Sequence, residues 1–232
     1  MGGEGGNYET VTVDNTNTSL PIFYISNDNS DGEIRRFTPN ATIVQNGDYS
    51  KILISPGTMH YLVLDPDTDT FQWTLNLAKG QQSARRYFRN VEGIDYRHGL
   101  LYFVSKVQDE LFTLDLTHHT YVKESTVNGY FQDHPDQVIR YMNEPSSGMM
   151  FFTEEGNNGG VHGRDVNGNY FTLLEGGKIN ETSGLAFSPD NKRMYVAFYN
   201  EGILFEITRT DGLPFSAEGT TLRHHQMNGS TI

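Results

Sequence analysis

Cysteine is missing from the whole chain. That removes disulfides, thiolate metal sites and cysteine nucleophiles together. Long apolar runs are missing too, and no stretch approaches the ~20 residues that a membrane-spanning helix needs. The opening Met1-Gly2-Gly3-Glu4-Gly5-Gly6 lacks a hydrophobic signal core. It also lacks the Ser or Thr that a myristoylation motif wants at position six. Residues 1–7 are therefore expected to form a flexible leader and 227–232 a polar tail, with one domain over 8–226. No window holds apolar residues at i, i+3, i+4 and i+7 without Gly or Pro interrupting it, so no long helix is expected. Basic residues are scarce: 17 Lys and Arg stand against 29 Asp and Glu, a net charge of −12. Such a surface repels nucleic acid and anionic membrane, so neither binding to the first nor insertion into the second is expected. It favours cations, Ca²⁺ above all. Neither a Gly-x-Ser-x-Gly elbow nor a His-Glu-x-x-His motif occurs.

What the chain does have is rings and turns: 14 Phe, 13 Tyr and 24 Gly in 232 residues. Large rings bury much area per residue and can fill a core despite the low overall hydrophobicity. Two stretches repeat one pattern. Glu92-Gly93-Ile94-Asp95 precedes a turn and Leu101-Tyr102-Phe103-Val104; Ser183-Gly184-Leu185-Ala186-Phe187 precedes a turn and Met194-Tyr195-Val196-Ala197. Each is a Gly-containing apolar strand, a polar turn and an aromatic strand. Recurrence of an all-β unit at this scale points to a β-propeller. Aromatic second strands begin at Phe23, Tyr61, Tyr102, Phe151 and Tyr195, with gaps of 38, 41, 49 and 44 residues. A four-stranded blade takes about 40–50 residues, so five blades can be counted, either a five-bladed ring or part of a six-bladed one. Third strands follow each anchor, and fourth strands are expected at Thr42–Gln45, Arg86–Arg89, Tyr121–Ser125 and Tyr170–Leu174.

Propellers display functional groups where inner strands begin. Glu92 opens one inner strand, Asp136 opens the next, and Glu181 precedes a third; Glu154 leaves a second strand near them. Carboxylates converging on one channel mouth repel unless a cation holds them, and Ca²⁺ accepts six to eight oxygens in loose geometry. The alternative is that these acids accept backbone N–H groups of the neighbouring blade. His134 sits at an inner-strand entrance and is a candidate site residue. Arg85 and Arg86 lie one short hop before the Glu92 strand and are candidate anion clamps, as are Lys106 and Arg164, although exposed strand arginines would look the same. Asp65-Pro66-Asp67-Thr68-Asp69-Thr70 lacks the Gly and Glu of a helical calcium loop and reads as a hairpin turn. Sequons at Asn17, Asn40, Asn180 and Asn228 give weak support for an extracellular glycoprotein.

Several segments are similar to the PhoX-type alkaline phosphatase family. They are Glu92–Lys106, Phe151-Phe152-Thr153-Glu154-Glu155-Gly156, Thr182–Asp190 and, most specifically, Ile207-Thr208-Arg209-Thr210-Asp211-Gly212-Leu213-Pro214-Phe215. The resemblance spans about residues 19–215. It implies a six-bladed, secreted or periplasmic propeller that hydrolyses phosphomonoesters at a site of Ca²⁺ and iron, held mainly by carboxylates with a cysteine on the iron. Glu92, Glu154 and Glu181 would be the inherited acidic positions. With no cysteine in this chain, iron would need ligands from elsewhere. Two readings stay open: a metal-dependent hydrolase acting on a small phosphate ester, with Arg85, Arg86 and His134 at the reaction, and a non-catalytic extracellular module that binds a protein partner.

Overall fold

The computed structural model describes residues 5–127, 131–141, 149–175 and 180–216. Among them sixteen strands build an all-β propeller fold, the class expected from the repeat. The first group is β1 (Tyr8–Asp14), β2 (Ile22–Asn27), β3 (Arg35–Thr38), β4 (Thr58–Asp65) and β5 (Thr70–Thr74). The second is β6 (Val91–Arg97), β7 (Leu100–Ser105), β8 (Glu110–Asp115) and β9 (Thr120–Ser125). The third is β10 (His134–Arg140), β11 (Met150–Glu155), β12 (Gly160–Arg164) and β13 (Tyr170–Glu175). The fourth is β14 (Thr182–Phe187), β15 (Arg193–Phe198) and β16 (Ile203–Thr208). Each group is an antiparallel meander, and a single bridge, Thr70 to Thr120, joins the first two into one nine-stranded sheet.

The first strand of each group lies innermost. β6 packs between β1 and β10, and β10 packs on β14. Threonines stitch these neighbours together. Tyr96 N donates to Thr12 Oγ1 at 3.1 Å, Thr10 Oγ1 meets Gln137 Oε1 at 3.0 Å, and Thr153 Oγ1 donates to the Ser183 carbonyl at 3.1 Å. Gly93 lets β6 and β10 approach: a Cβ there would sit 2.3 Å from Val138 N. Rings fill the space between sheets. Phe103 and Phe112 stack with centroids 4.7 Å apart, and Phe88 packs edge-on against both. Burying each such ring contributes roughly 1.5–3 kcal/mol.

Five aromatic anchors fall into four radial groups among the described residues. Phe23 and Tyr61 lie in one sheet, on β2 and β4. The reason is the excursion between β3 and β4, which holds α1 (Ala41–Gln45) and a 3₁₀ turn rather than a new inner strand. Two expected fourth strands are helical instead. Thr42–Gln45 lies in α1, which Asn40 caps by accepting Thr42 N. Arg86 and its neighbours end α2 (Leu77–Tyr87), capped by Asn76 accepting Lys79 N. Gly80 interrupts that helical pattern in the sequence, yet it is the point of contact: a Cβ there would lie 2.5 Å from Tyr61 Cβ. One turn on, Ser83 Oγ accepts Leu64 N at 3.0 Å. No described helix is long and apolar enough to cross a membrane. Asn228 and residues 217–232 lie outside the described residues.

Candidate metal centre at the channel mouth

Every inner strand carries a register irregularity near its start: Tyr8/Val11 in β1, Val91/Ile94 in β6, Pro135/Val138 in β10 and Thr182/Leu185 in β14. An irregularity of this kind frees a residue from the ladder and re-aims it. The residue after the last pair before each irregularity is Glu9, Glu92, Asp136 and Ser183, so three of four equivalent positions are acids. A second tier comes from the ends of the paired strands. Tyr8 pairs with Asn27, Val91 with Ser105, Pro135 with Glu154 and Thr182 with Phe198. The residue after each of these partners forms that tier: Asp28, Lys106, Glu155 and Tyr199.

Glu9, Asp28 and Glu92 each place one carboxylate oxygen within 4.8 Å of the others. Glu92 is 4% exposed. Its Oε1 makes no hydrogen bond, and Lys106 Nζ stands 3.5 Å away. Lys106 is also paired with Glu155. Burial, then the charges of Asp28 and Asp136, push Glu92 up to about 8 against the pull of Lys106. Burial pushes Asp136 up to about 7, and the charges of Glu9 and Glu155 add to it, while hydrogen bonds from Gln137 and Ser183 oppose it. Glu9 is raised by partial desolvation, then by Asp28. Burial acts to lower Lys106, but its hydrogen bond to Glu155 and the charge of Glu92 outweigh that and raise it. Among the described residues, excess negative charge is thus held together at one end of the channel with the ammonium of Lys106 among it. Asp28 is fixed from outside by Asn90, whose amide donates to it at 2.8 Å.

The residues singled out in the sequence divide. Glu92 and Asp136 stand at this mouth. Glu154 turns away: strand alternation sends it into the sheet, where it meets His162 Nε2 at 2.7 Å and accepts Gln132 N and Asp133 N. There it holds the 131–133 segment, and Glu155 is the residue that reaches the rim. Glu181 lies in the loop before β14, two residues short of the equivalent position, where it accepts Asn200 Nδ2 at 3.1 Å. His134 pairs with Asp109 at 2.7 Å on a half-exposed edge. Arg85 is exposed on α2 and bound to Asp31 at 2.8 Å. Arg86 stacks on its neighbour Tyr87. Arg164 pairs with Glu124 at 2.8 Å. The mouth residues that sequence reading missed are Glu9, Asp28 and Glu155. Aligning Tyr8-Glu9-Thr10-Val11 with Val91-Glu92-Gly93-Ile94 would have found the first.

No family model matches the chain, and no curated protein matches it. Solved structures do. Over 91% of this chain and 55% of the other, it is similar to Pseudomonas fluorescens PhoX in complex with vanadate, a transition-state analogue, at a TM-score of 0.66 and 15% identity. It is also similar to a chain of a nidogen/laminin complex, over 82% of this chain and 56% of that one, at a TM-score of 0.55 and 11% identity. These likenesses show a PhoX-like propeller fold. The chain spans a little over half the length of each protein.

Proposed function

We propose that this chain is an extracytoplasmic propeller that binds Ca²⁺ at the mouth formed by Glu9, Asp28, Glu92, Asp136 and Glu155. One observation carries the reading. Three carboxylates from three separate segments converge within 4.8 Å, and the buried member, Glu92, keeps one oxygen without a hydrogen bond. Carboxylate oxygens are the donors Ca²⁺ prefers, and its loose geometry suits groups brought from separate segments. Iron does not fit in the same way. The cysteine implied for its ligand set is absent, and no step is assigned to iron.

The finer reading is hydrolysis of a small phosphate ester. A bound divalent cation offsets phosphoryl charge and acidifies a coordinated water. The chain's own contribution would be Lys106, the ammonium already among the acids, and the carboxylates that fix the cation. Support comes from the mouth together with the fold shared with PhoX. The rival is a non-catalytic module for a protein partner. It is favoured by the counter-charge that Lys106 already gives Glu92 and Glu155, and by the engagement of Arg85 with Asp31.

Calorimetric titration of the metal-free chain with Ca²⁺, with p-nitrophenyl phosphate hydrolysis measured in parallel, separates these readings. One site with a dissociation constant of about 10⁻⁷–10⁻⁴ M, lost in Glu92→Gln, supports cation binding. Calcium-dependent turnover that disappears in the same variant supports the hydrolase, and binding without turnover supports the module. A wild-type chain that takes up no Ca²⁺ sinks the proposal.

A further inference from the structure

Far from the acidic mouth, at the other end of β1, a cavity of about 300 Å³ opens between the first and second groups. Asp14, Tyr24, Arg36, Trp73, Tyr96 and His119 line it. The three large rings form a continuous wall. Tyr24 lies 5.8 Å from Trp73 and 6.0 Å from Tyr96, stacked on the latter at 22°. Arg36 is placed beside this wall by register: it is paired with Tyr24 across β2 and β3 and with His60 across β3 and β4. Its guanidinium carbon sits 5.2 Å over the Trp73 ring.

Arg36 is the unusual member. Its Nε is buried and makes no hydrogen bond, and among the described residues no carboxylate pairs with it. Its buried neighbour on the same strand shows the contrast: Arg35 is bound to Glu33 at 2.5 Å. In a chain of net charge −12, a half-buried guanidinium left without a counter-ion needs a reason. Its fork of donors matches a carboxylate. Asp14, on the same cavity, has the opposite preference. It accepts from Thr16 N at 3.0 Å and Thr16 Oγ1 at 2.6 Å. It repels a second anionic group but offers an acceptor to hydroxyls. The cavity volume lies at the small end of ordinary ligand sites and suits one ring.

We infer that this cavity is a binding site for a hydroxylated ring carrying one carboxylate, the uronic-acid class, with Arg36 holding the carboxylate, Asp14 a hydroxyl, and the aromatic wall the apolar face of the ring. The site is separate from the cation mouth, and its occupation does not depend on calcium.

Trp73 is the only tryptophan in the chain, so its emission reports the cavity without a label. The full chain in EDTA, at fixed ionic strength, would be titrated with sodium glucuronate, glucose and sodium benzoate. Saturable change with glucuronate is expected, with glucose and benzoate at least tenfold weaker. Arg36→Lys keeps the charge and loses the fork, and should weaken glucuronate about tenfold; Arg36→Gln should abolish the response. Circular dichroism and melting check that both variants fold. Should Arg36→Gln misfold, the glucuronate-to-glucose ratio of the wild type and the lysine variant decide. No saturable change with glucuronate, equal binding of glucose, tighter binding of benzoate, or an unaltered response in a folded Arg36 variant would each overturn the assignment.

Discussion

Neutralising Glu92 is expected to move stability in opposite directions with and without calcium. Its pKa rises from 4.5 to about 8, and that of Asp136 from 3.8 to about 7. A carboxyl raised in the folded state binds more protons folded than unfolded. Its favourable contribution is complete below the unfolded value and is lost as pH rises through the folded one. For Glu92 that window runs from 4.5 to about 8, and for Asp136 from 3.8 to about 7. At ~1.36 kcal/mol per pKa unit, raising pH from 6 to 9 costs roughly 3 kcal/mol through Glu92 and roughly 1 through Asp136. Solvent reaching the mouth lowers the sum to on the order of 3 kcal/mol. A chain of this size shifts about 2–4 °C per kcal/mol, so the metal-free protein should melt roughly 6–12 °C lower at pH 9 than at pH 6.

Glu92→Gln keeps the shape and removes the charge that Asp28 and Asp136 oppose. In EDTA at pH 9 it should melt several degrees above the wild type, with most of the pH dependence gone. With calcium the order should reverse. A ligand at 1,000 times its dissociation constant stabilises the folded state by about 4.1 kcal/mol, more than the cost of holding Glu92 ionised, and only the wild type should receive that gain in full. Differential scanning calorimetry at both pH values, with EDTA or Ca²⁺, provides the readout. Wild-type midpoints that coincide at pH 6 and 9 in EDTA, or a variant that gains as much from calcium as the wild type, would refute the reasoning.

Two further substitutions separate the mouth from its scaffold. Glu154→Gln weakens the buried pair with His162 and should cost about 3 kcal/mol or more, read from urea unfolding, while leaving calcium affinity within twofold; a calcium defect with unchanged stability would put Glu154 back among the ligands. Gly93→Ala forces a Cβ to 2.3 Å from Val138 N and 2.7 Å from Gln137 Cα, backbone that cannot swing aside. Its cost should be about 2–4 kcal/mol by the same method, and a midpoint equal to the wild type would show that β6 and β10 are not held this closely.

The propeller class was legible because period-2 alternation and recurring aromatic second strands are local properties, set by strands that each must bury one face. Glu92 and Asp136 were legible for the same reason: they begin inner strands, and inner strands begin at one end of the channel. Other features were out of reach. Whether Glu154 or Glu155 reaches the rim depends on strand phase, and one residue reverses the face. Glu9 and Asp28 belong to the first group, whose inner strand β1 has no Gly to match it to the repeated Gly-containing pattern. Gly80 reads as a helix breaker by propensity, although the tight packing of α2 on Tyr61 requires it. Above all, the convergence brings Glu92 to Asp28 and Glu9, which precede it by 64 and 83 residues in the chain. Composition fixed the excess of negative charge and spacing fixed the repeating strands. Only the packing of β6 against β1 and β10 decided which of the acids would have to share one small, partly dehydrated volume.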